Sequence, residues 1–192
     1  MGHGISIERI YDDAERAQLL ALARAAIAAG IAGERLDVER ESLAPALTVR
    51  RASFVTLYLH GRLRGCMGTL EARRTLAEDV AEMAYAAAFR DPRFPRLDAA
   101  EFAATELHVA VLGTPEPLAF ASEEDLLRQL RPGIDGVVFC DRLRRATFLP
   151  SVWEMLAEPR EFLGRLKEKA GLPRDHWSDN VRIERYTVES IP

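Results

Sequence analysis

The chain has 192 residues, 48% of them hydrophobic and 29% charged, with a formal net charge of −4. A chain of this length buries roughly 70% of its unfolded surface, so it needs neither disulfides nor a metal to fold. The negative balance supplies no global basic field for nucleic acid, and no stretch approaches the roughly 20 apolar residues of a membrane helix.

No N-terminal apolar run reads as a signal peptide, so a cytoplasmic, reducing setting is expected. The two cysteines, Cys66 and Cys140, have neither CxxC nor zinc-like spacing and should be free thiols.

The first periodic segment, YDDAERAQLLALARAAIAAG, predicts a helix over 12–29. Asp12 and Glu15 have capping-box spacing. Leu19, Leu22, Ala23, Ala26 and Ile27 trace one buried stripe, and Gly30 is the expected left-handed stop. The segment to Arg51, broken by Pro45, reads as loop with about one helical turn.

ASFVTLYLHGRLRGCMGTL predicts a hairpin over 52–69. Phe54 to Leu59 are apolar or β-branched throughout, the pattern of a strand buried on both faces. His60-Gly61-Arg62 supplies the turn. A second helix over 75–90 opens on the capping box Thr75/Glu78 and ends before Pro92. ELHVAVLG is a strand, TPEP is extended, and SEEDLLRQL is a short helix begun by Ser122. DGVVFC and RATFL are strands. A C-terminal helix over 159–170 starts at Pro159 and stops at Gly171. The last strand, 181–189, changes its apolar phase between Ile183 and Tyr186, which predicts a bulge at Glu184-Arg185. Helices and strands interleave without a βαβ rhythm, which favours an α+β fold with a mixed, mostly antiparallel sheet flanked by helices.

The return strand, GRLRGCMGTLEA, holds the most distinctive chemistry. The thiolate is the reactive form of cysteine, and nearby cations favour it. Arg64 lies two residues from Cys66, so on a regular strand it shares the same face. Gly65 and Gly68 would leave backbone N–H groups open to an anion. A base for such a thiol would be a histidine, with His60, His108 and His176 as candidates. The competing reading is a structural cysteine whose glycines serve close packing. In FRDPRFPRL, two prolines stiffen the backbone and give Arg90, Asp91, Arg93 and Arg96 definite directions. Asp91 can orient an arginine, and the arginine can grip a carboxylate or phosphate. Phe94 is expected to anchor this loop in the core. Phe148, Leu149 and Trp153 read as packing, and Cys140 as an inert core thiol. No metal-ligand spacing, P-loop or GxGxxG occurs, so no metal and no bound cofactor are expected.

Three stretches, LRGCMGTLEA, AAFRDPRFPRL and RRATFLPSVWE, occur in the order found in the AMMECR domain family, which the chain resembles. FVTL and EFLGRLKEKAGLP also match. The resemblance implies one AMMECR-type domain over 1–192 with a larger and a smaller subdomain. It also implies a place beside Memo-like and radical SAM proteins in the AmmeMemoRadiSam system, without fixing a reaction. Combined with the residue chemistry, the expected site pairs Cys66 and Arg64 as catalytic groups. Gly65, Gly68, Glu71, Arg90, Asp91, Arg93, His108 and Thr147 are the expected substrate-binding residues, for a small anionic or modified amino-acid substrate. The alternative is a non-catalytic adaptor whose motifs form a docking surface. Neither nucleic acid nor membrane is an expected partner.

Overall fold

The computed structural model describes residues 9–192. In chain order the regular elements are α1 (Asp13–Ile31), β1 (Ser53–Leu59), β2 (Arg62–Gly68), α2 (Leu76–Phe89), α3 (Ala99–Ala103), β3 (Thr105–Leu112), β4 (Glu116–Leu118), α4 (Glu123–Gln129), β5 (Gly136–Asp141), β6 (Arg144–Phe148), α5 (Pro159–Lys169), β7 (Val181–Tyr186) and β8 (Val188–Ile191). Two short 3-10 turns, Arg40–Ser42 and Pro45–Thr48, fill the segment before β1, and a third covers Pro150–Glu154. The fold is α+β with two four-stranded sheets, and the chain divides into two compact units.

The first unit comprises residues 9–112 and Glu189–Pro192. Its sheet runs β2-β1-β3-β8. Helices α1 and α2 begin at capping boxes on Asp12/Glu15 and Thr75/Glu78, which satisfy the free N–H groups of their first turns. They bury Leu19, Ala23, Ile27, Val80, Met83 and Ala87 against Val55, Leu57, Leu107 and Val109. Strand β1 is buried on one face only: Val55 and Leu57 are fully covered, while Phe54, Thr56 and Tyr58 alternate with them and are half-buried. The all-apolar run therefore does not mean burial on both faces. It arises because the second face also carries aromatic and β-branched side chains.

Gly30 does not end α1. It lies within the helix, and a Cβ there would stand 2.2 Å from the Phe89 ring, so the glycine serves the approach of α2. Gly33, with φ of +82°, takes the left-handed stop. Helix α3, opened by an Asp98/Glu101 capping box, is an element that the hydrophobic pattern alone does not suggest.

The second unit, Gly113–Val188, has the sheet order β4-β7-β5-β6. Its core joins Val137, Phe139 and Ile183 to Phe162, Leu163 and Leu166 of α5. Trp153 stacks on Phe162 at 3.7 Å between ring centroids and donates its indole N–H to the Asp135 carbonyl at 2.7 Å. No bulge occurs at Glu184-Arg185: β5 and β7 stay in register from Gly136↔Tyr186 to Asp141↔Val181. The apolar phase changes because Tyr186 covers Gly136, where a Cβ would meet its ring at 2.4 Å, whereas Ile183 lies in the helix-side core. The expected strand over 181–189 is two strands, β7 and β8, and they belong to different sheets.

Candidate functional site

The site expected from sequence centres on β2, an edge strand of the first unit. Cys66 pairs with Thr56 of β1, which pairs on its other side with His108 of β3. The three residues form one row, on the face opposite the α1–α2 core. The Cys66 amide donates to Asp91 Oδ2 at 2.9 Å, and its carbonyl accepts from Arg93 Nη2 at 3.3 Å. Both backbone groups thus point away from β1. That makes Thr56↔Cys66 a non-hydrogen-bonded pair, the kind whose side chains approach closest. The Thr56 hydroxyl accordingly donates to Cys66 Sγ at 3.3 Å. Cys66 itself is half-buried.

Asp91 is the hub of this edge. Its carboxylate, on a side chain 2% exposed, accepts from the Cys66 amide, from the Arg93 amide at 3.1 Å, from Arg93 Nε at 2.9 Å and from Arg93 Nη2 at 2.6 Å. The Arg93 side chain, followed by the Cys66 and Arg93 amides, holds the Asp91 carboxyl well below the usual carboxylate range despite the opposing effect of burial. The same pair keeps the Arg93 guanidinium firmly protonated. The Arg93 side chain is 54% exposed, and its Nη1 makes no hydrogen bond among the described residues. Two N–H donors beside the Cys66 strand are therefore available to an anion.

Arg64 does not stand beside Cys66. The pairing shifts between Leu57↔Gly65 and Tyr58↔Leu63, leaving Arg64 as the extra residue of a bulge. A bulge cancels the two-residue alternation on which the shared face depends. The Arg64 guanidinium forks onto Glu101, Nε to Oε1 at 3.0 Å and Nη2 to Oε2 at 2.7 Å, and is buried. The cation at Cys66 is Arg93 instead.

The two glycines do not open space for a ligand either. A Cβ at Gly65 would stand 2.2 Å from the Ala87 carbonyl of α2, and one at Gly68 would stand 2.2 Å from the Phe54 ring. Close packing on both sides of the strand accounts for them.

The remaining expected residues disperse. Glu71 is exposed and pairs with Arg73. Arg90 turns to Glu82 and lies over the Tyr85 ring at 5.1 Å, and Arg96 lies over Phe89. Of the charged loop residues, Asp91 and Arg93 are the two that meet β2. His108 packs edge-on against Tyr58, with ring centroids 5.1 Å apart. It lies two strand spacings from Cys66, about 9.6 Å between backbones, with Thr56 between them. His60 occupies the exposed two-residue turn with φ of +51°. Thr147 belongs to the second unit, where its hydroxyl shares a hydrogen bond with Tyr186 at 3.0 Å. Phe94 is half-buried, with the guanidiniums of Arg64 and Arg93 at 5.8 and 5.5 Å from its ring. Leu97, 3% exposed, is the side chain that anchors this loop in the core. Cys140 is half-buried rather than a core thiol, between Arg145 and Arg182 in the β6-β5-β7 register.

Thr56 and Glu101 escape a reading of the sequence. The Asp98/Glu101 capping box is the one local signal that could have drawn attention to Glu101. Nothing local marks Thr56, which matters only through strand register. Among the described residues, no group of three or more His, Cys, Asp or Glu side chains is placed to hold a metal ion, and no helix is long and apolar enough to cross a membrane.

The family model AMMECR1 matches residues 20–191. A protein of Methanothermobacter thermautotrophicus is 36% identical over 175 residues, covering 89% of this chain and 90% of the relative. A protein of Thermotoga maritima is 41% identical over 152 residues, covering 78% and 82%. The crystal structure of the uncharacterised protein PH0010 from Pyrococcus horikoshii superimposes with a TM-score of 0.77 at 29% identity, covering 93% of this chain and 91% of that one.

Proposed function

This chain belongs to the AMMECR1 family, and on that premise we propose that it is an enzyme, or a component of one, that presents the Cys66 thiol to a small anionic or modified amino-acid substrate. The observation that carries the reading is the Asp91 hub. One carboxylate fixes the Cys66 amide and the Arg93 guanidinium together, and leaves Arg93 Nη1 with two unused donors. In this reading Arg93 receives the anionic group, Asp91 orients Arg93, and the Thr56 hydroxyl directs the sulfur. The substrate would come from, or pass to, the Memo-like and radical SAM proteins of the AmmeMemoRadiSam system, acting on a shared compound.

A second reading, a non-catalytic adaptor of those proteins, draws on the same hub. Asp91 closes the exposed edge of β2, so the loop also makes sense as a brace under a docking surface.

Complementation separates the two. In a strain lacking the gene, Cys66→Ser and Arg93→Gln should fold with a Tm close to that of the parent chain and fail to restore the metabolite profile. If Cys66→Ser complements fully, the thiol chemistry is ruled out. A Cys66→Ser chain that still captures both partner proteins while failing to complement would support catalysis over docking.

A further inference from the structure

We propose that the surface pocket at the tip of the β5–β6 hairpin, in the second unit, binds a small organic anion: a carboxylate or phosphate head on a short aliphatic body. The pocket has a volume of about 450 Å³ and is lined by Asp141, Arg142, Leu143 and Arg144 of the hairpin and by Leu172, His176 and Ser178 of the segment after α5. It is independent of the Cys66 site, and its chemistry follows from its own side chains.

Arg142 and Arg144 supply the charge. Both are exposed, and neither makes an ion pair or a side-chain hydrogen bond among the described residues. Most other guanidiniums of the unit behave differently: Arg128, Arg131, Arg160, Arg165 and Arg174 are each tied to a carboxylate. Arg142 holds a left-handed φ of +54° in a two-residue turn, a conformation that disfavours residues with a side chain. Arg144 lies against the end of α5, its Nη1 3.1 Å from where a Cβ on Gly171 would stand.

His176 supplies a third group. Its Nε2 meets Asp141 Oδ2 at 2.5 Å, which fixes the proton on that nitrogen. Nδ1 is then an acceptor in the neutral ring and a donor in the imidazolium. Ser178 donates to the same carboxylate oxygen at 2.9 Å. The serine therefore faces the acid and not the imidazole, which is the wrong order for a hydrolytic triad. Asp141 is thus engaged by two donors and also feels the charge of Arg142, while neither Arg142 nor Arg144 is held by a carboxylate at contact distance among the described residues. The charged groups on the surrounding elements are Asp141, Arg142, Arg144 and Arg145 of the hairpin, Glu168 and Lys169 at the end of α5, and Arg174, Asp175 and Asp179 of the loop, with Glu168 already paired to Arg165 and Arg174 to Glu161.

Guanidinium forks match the paired oxygens of carboxylate and phosphate. Leu143, fully exposed, and Leu172, half-buried, offer the apolar flank that an aliphatic body would cover.

The test uses the full chain and follows the His176 ring resonances by NMR, assigned from their loss in His176→Gln. Inorganic phosphate, acetate and isovalerate are titrated at an ionic strength held constant with chloride. Phosphate or isovalerate should shift the His176 signals saturably, with isovalerate several-fold tighter than acetate. Selective response to phosphate identifies a phosphate-ester ligand, and selective response to isovalerate a carboxylate. Arg142→Ala and Arg144→Ala should each weaken binding roughly tenfold, and Arg24→Ala, on α1 of the first unit, should not. The proposal is overturned if no anion gives a saturable shift, or if affinity is unchanged in both hairpin variants.

Discussion

Asp91 in the first unit and Asp141 in the second are 5% and 6% exposed, and each ties a loop to a strand. Asp91 fastens the segment after α2 to the edge of β2, and Asp141 fastens the segment after α5 to the end of β5. The partners differ. Asp91 collects two backbone amides and a guanidinium that is charged at any working pH, whereas Asp141 collects an imidazole and a hydroxyl. The first arrangement leaves a cation with spare donors beside a thiol. The second leaves the arginines of its hairpin, Arg142, Arg144 and Arg145, without a carboxylate at contact distance among the described residues. A buried carboxylate can therefore serve the same mechanical purpose in both units while setting up different electrostatics around it.

The largest expected effect isolates the core anchor from the hub. Leu97→Ala should lower the stability of the chain by about 2–5 kcal/mol in urea unfolding, as a fully buried leucine does. If it unfolds no more easily than the parent chain, the loop is held by Asp91 alone.

Asp91→Ala should come next, at about 1.5–3 kcal/mol for lost hydrogen bonds to a charged group. Asp141→Ala should lose less, since its partners are an imidazole and a hydroxyl. A larger loss for Asp141→Ala would reverse the comparison.

Phe94→Ala should follow at about 1 kcal/mol, because a half-buried ring between two guanidiniums contributes cation–π contacts rather than core packing. A Phe94 variant that melts as early as Leu97→Ala would restore the ring as a core anchor.

The finest distinction concerns acid. Both carboxyls are held below their ordinary values, Asp91 chiefly by Arg93 and Asp141 chiefly by His176 and then Ser178. A depressed carboxyl contributes stability that is fully present above its unfolded pKa of about 3.9 and is lost as pH falls through the folded value. Asp91 is displaced further, so hydrogen exchange on acidification below pH 4 should open residues 173–180 before residues 91–97. The opposite order would show that the two hubs are not ranked by their partners.

Much of the scaffold was legible from local patterns. The capping boxes at Asp12/Glu15 and Thr75/Glu78, the stripe through Leu19, Ala23 and Ile27, and the turn at His60-Gly61 depend on neighbours a few residues apart. The LRGCMG and FRDPRF motifs also pointed to the two segments that meet at Cys66. What they did not reveal was which arginine stands there. Spacing favours Arg64, two residues from Cys66, and the outcome is reversed by a bulge that no local pattern predicts.

By itself, then, the sequence determined the α+β class, the helix starts, the hairpin and the membership of one family, because each rests on periodicity, caps or ordered motifs carried in the chain. Tertiary structure alone decided the rest. It turned Arg64 to Glu101 and Arg93 to Cys66, filled the space over Gly65 and Gly68, and split the last strand between two sheets. It also gathered Asp141, His176 and Ser178 from across 37 residues of chain. The physical reason is that register, close approach and ion pairing depend on which segments meet in space, and a one-residue bulge is enough to change every partner that follows it.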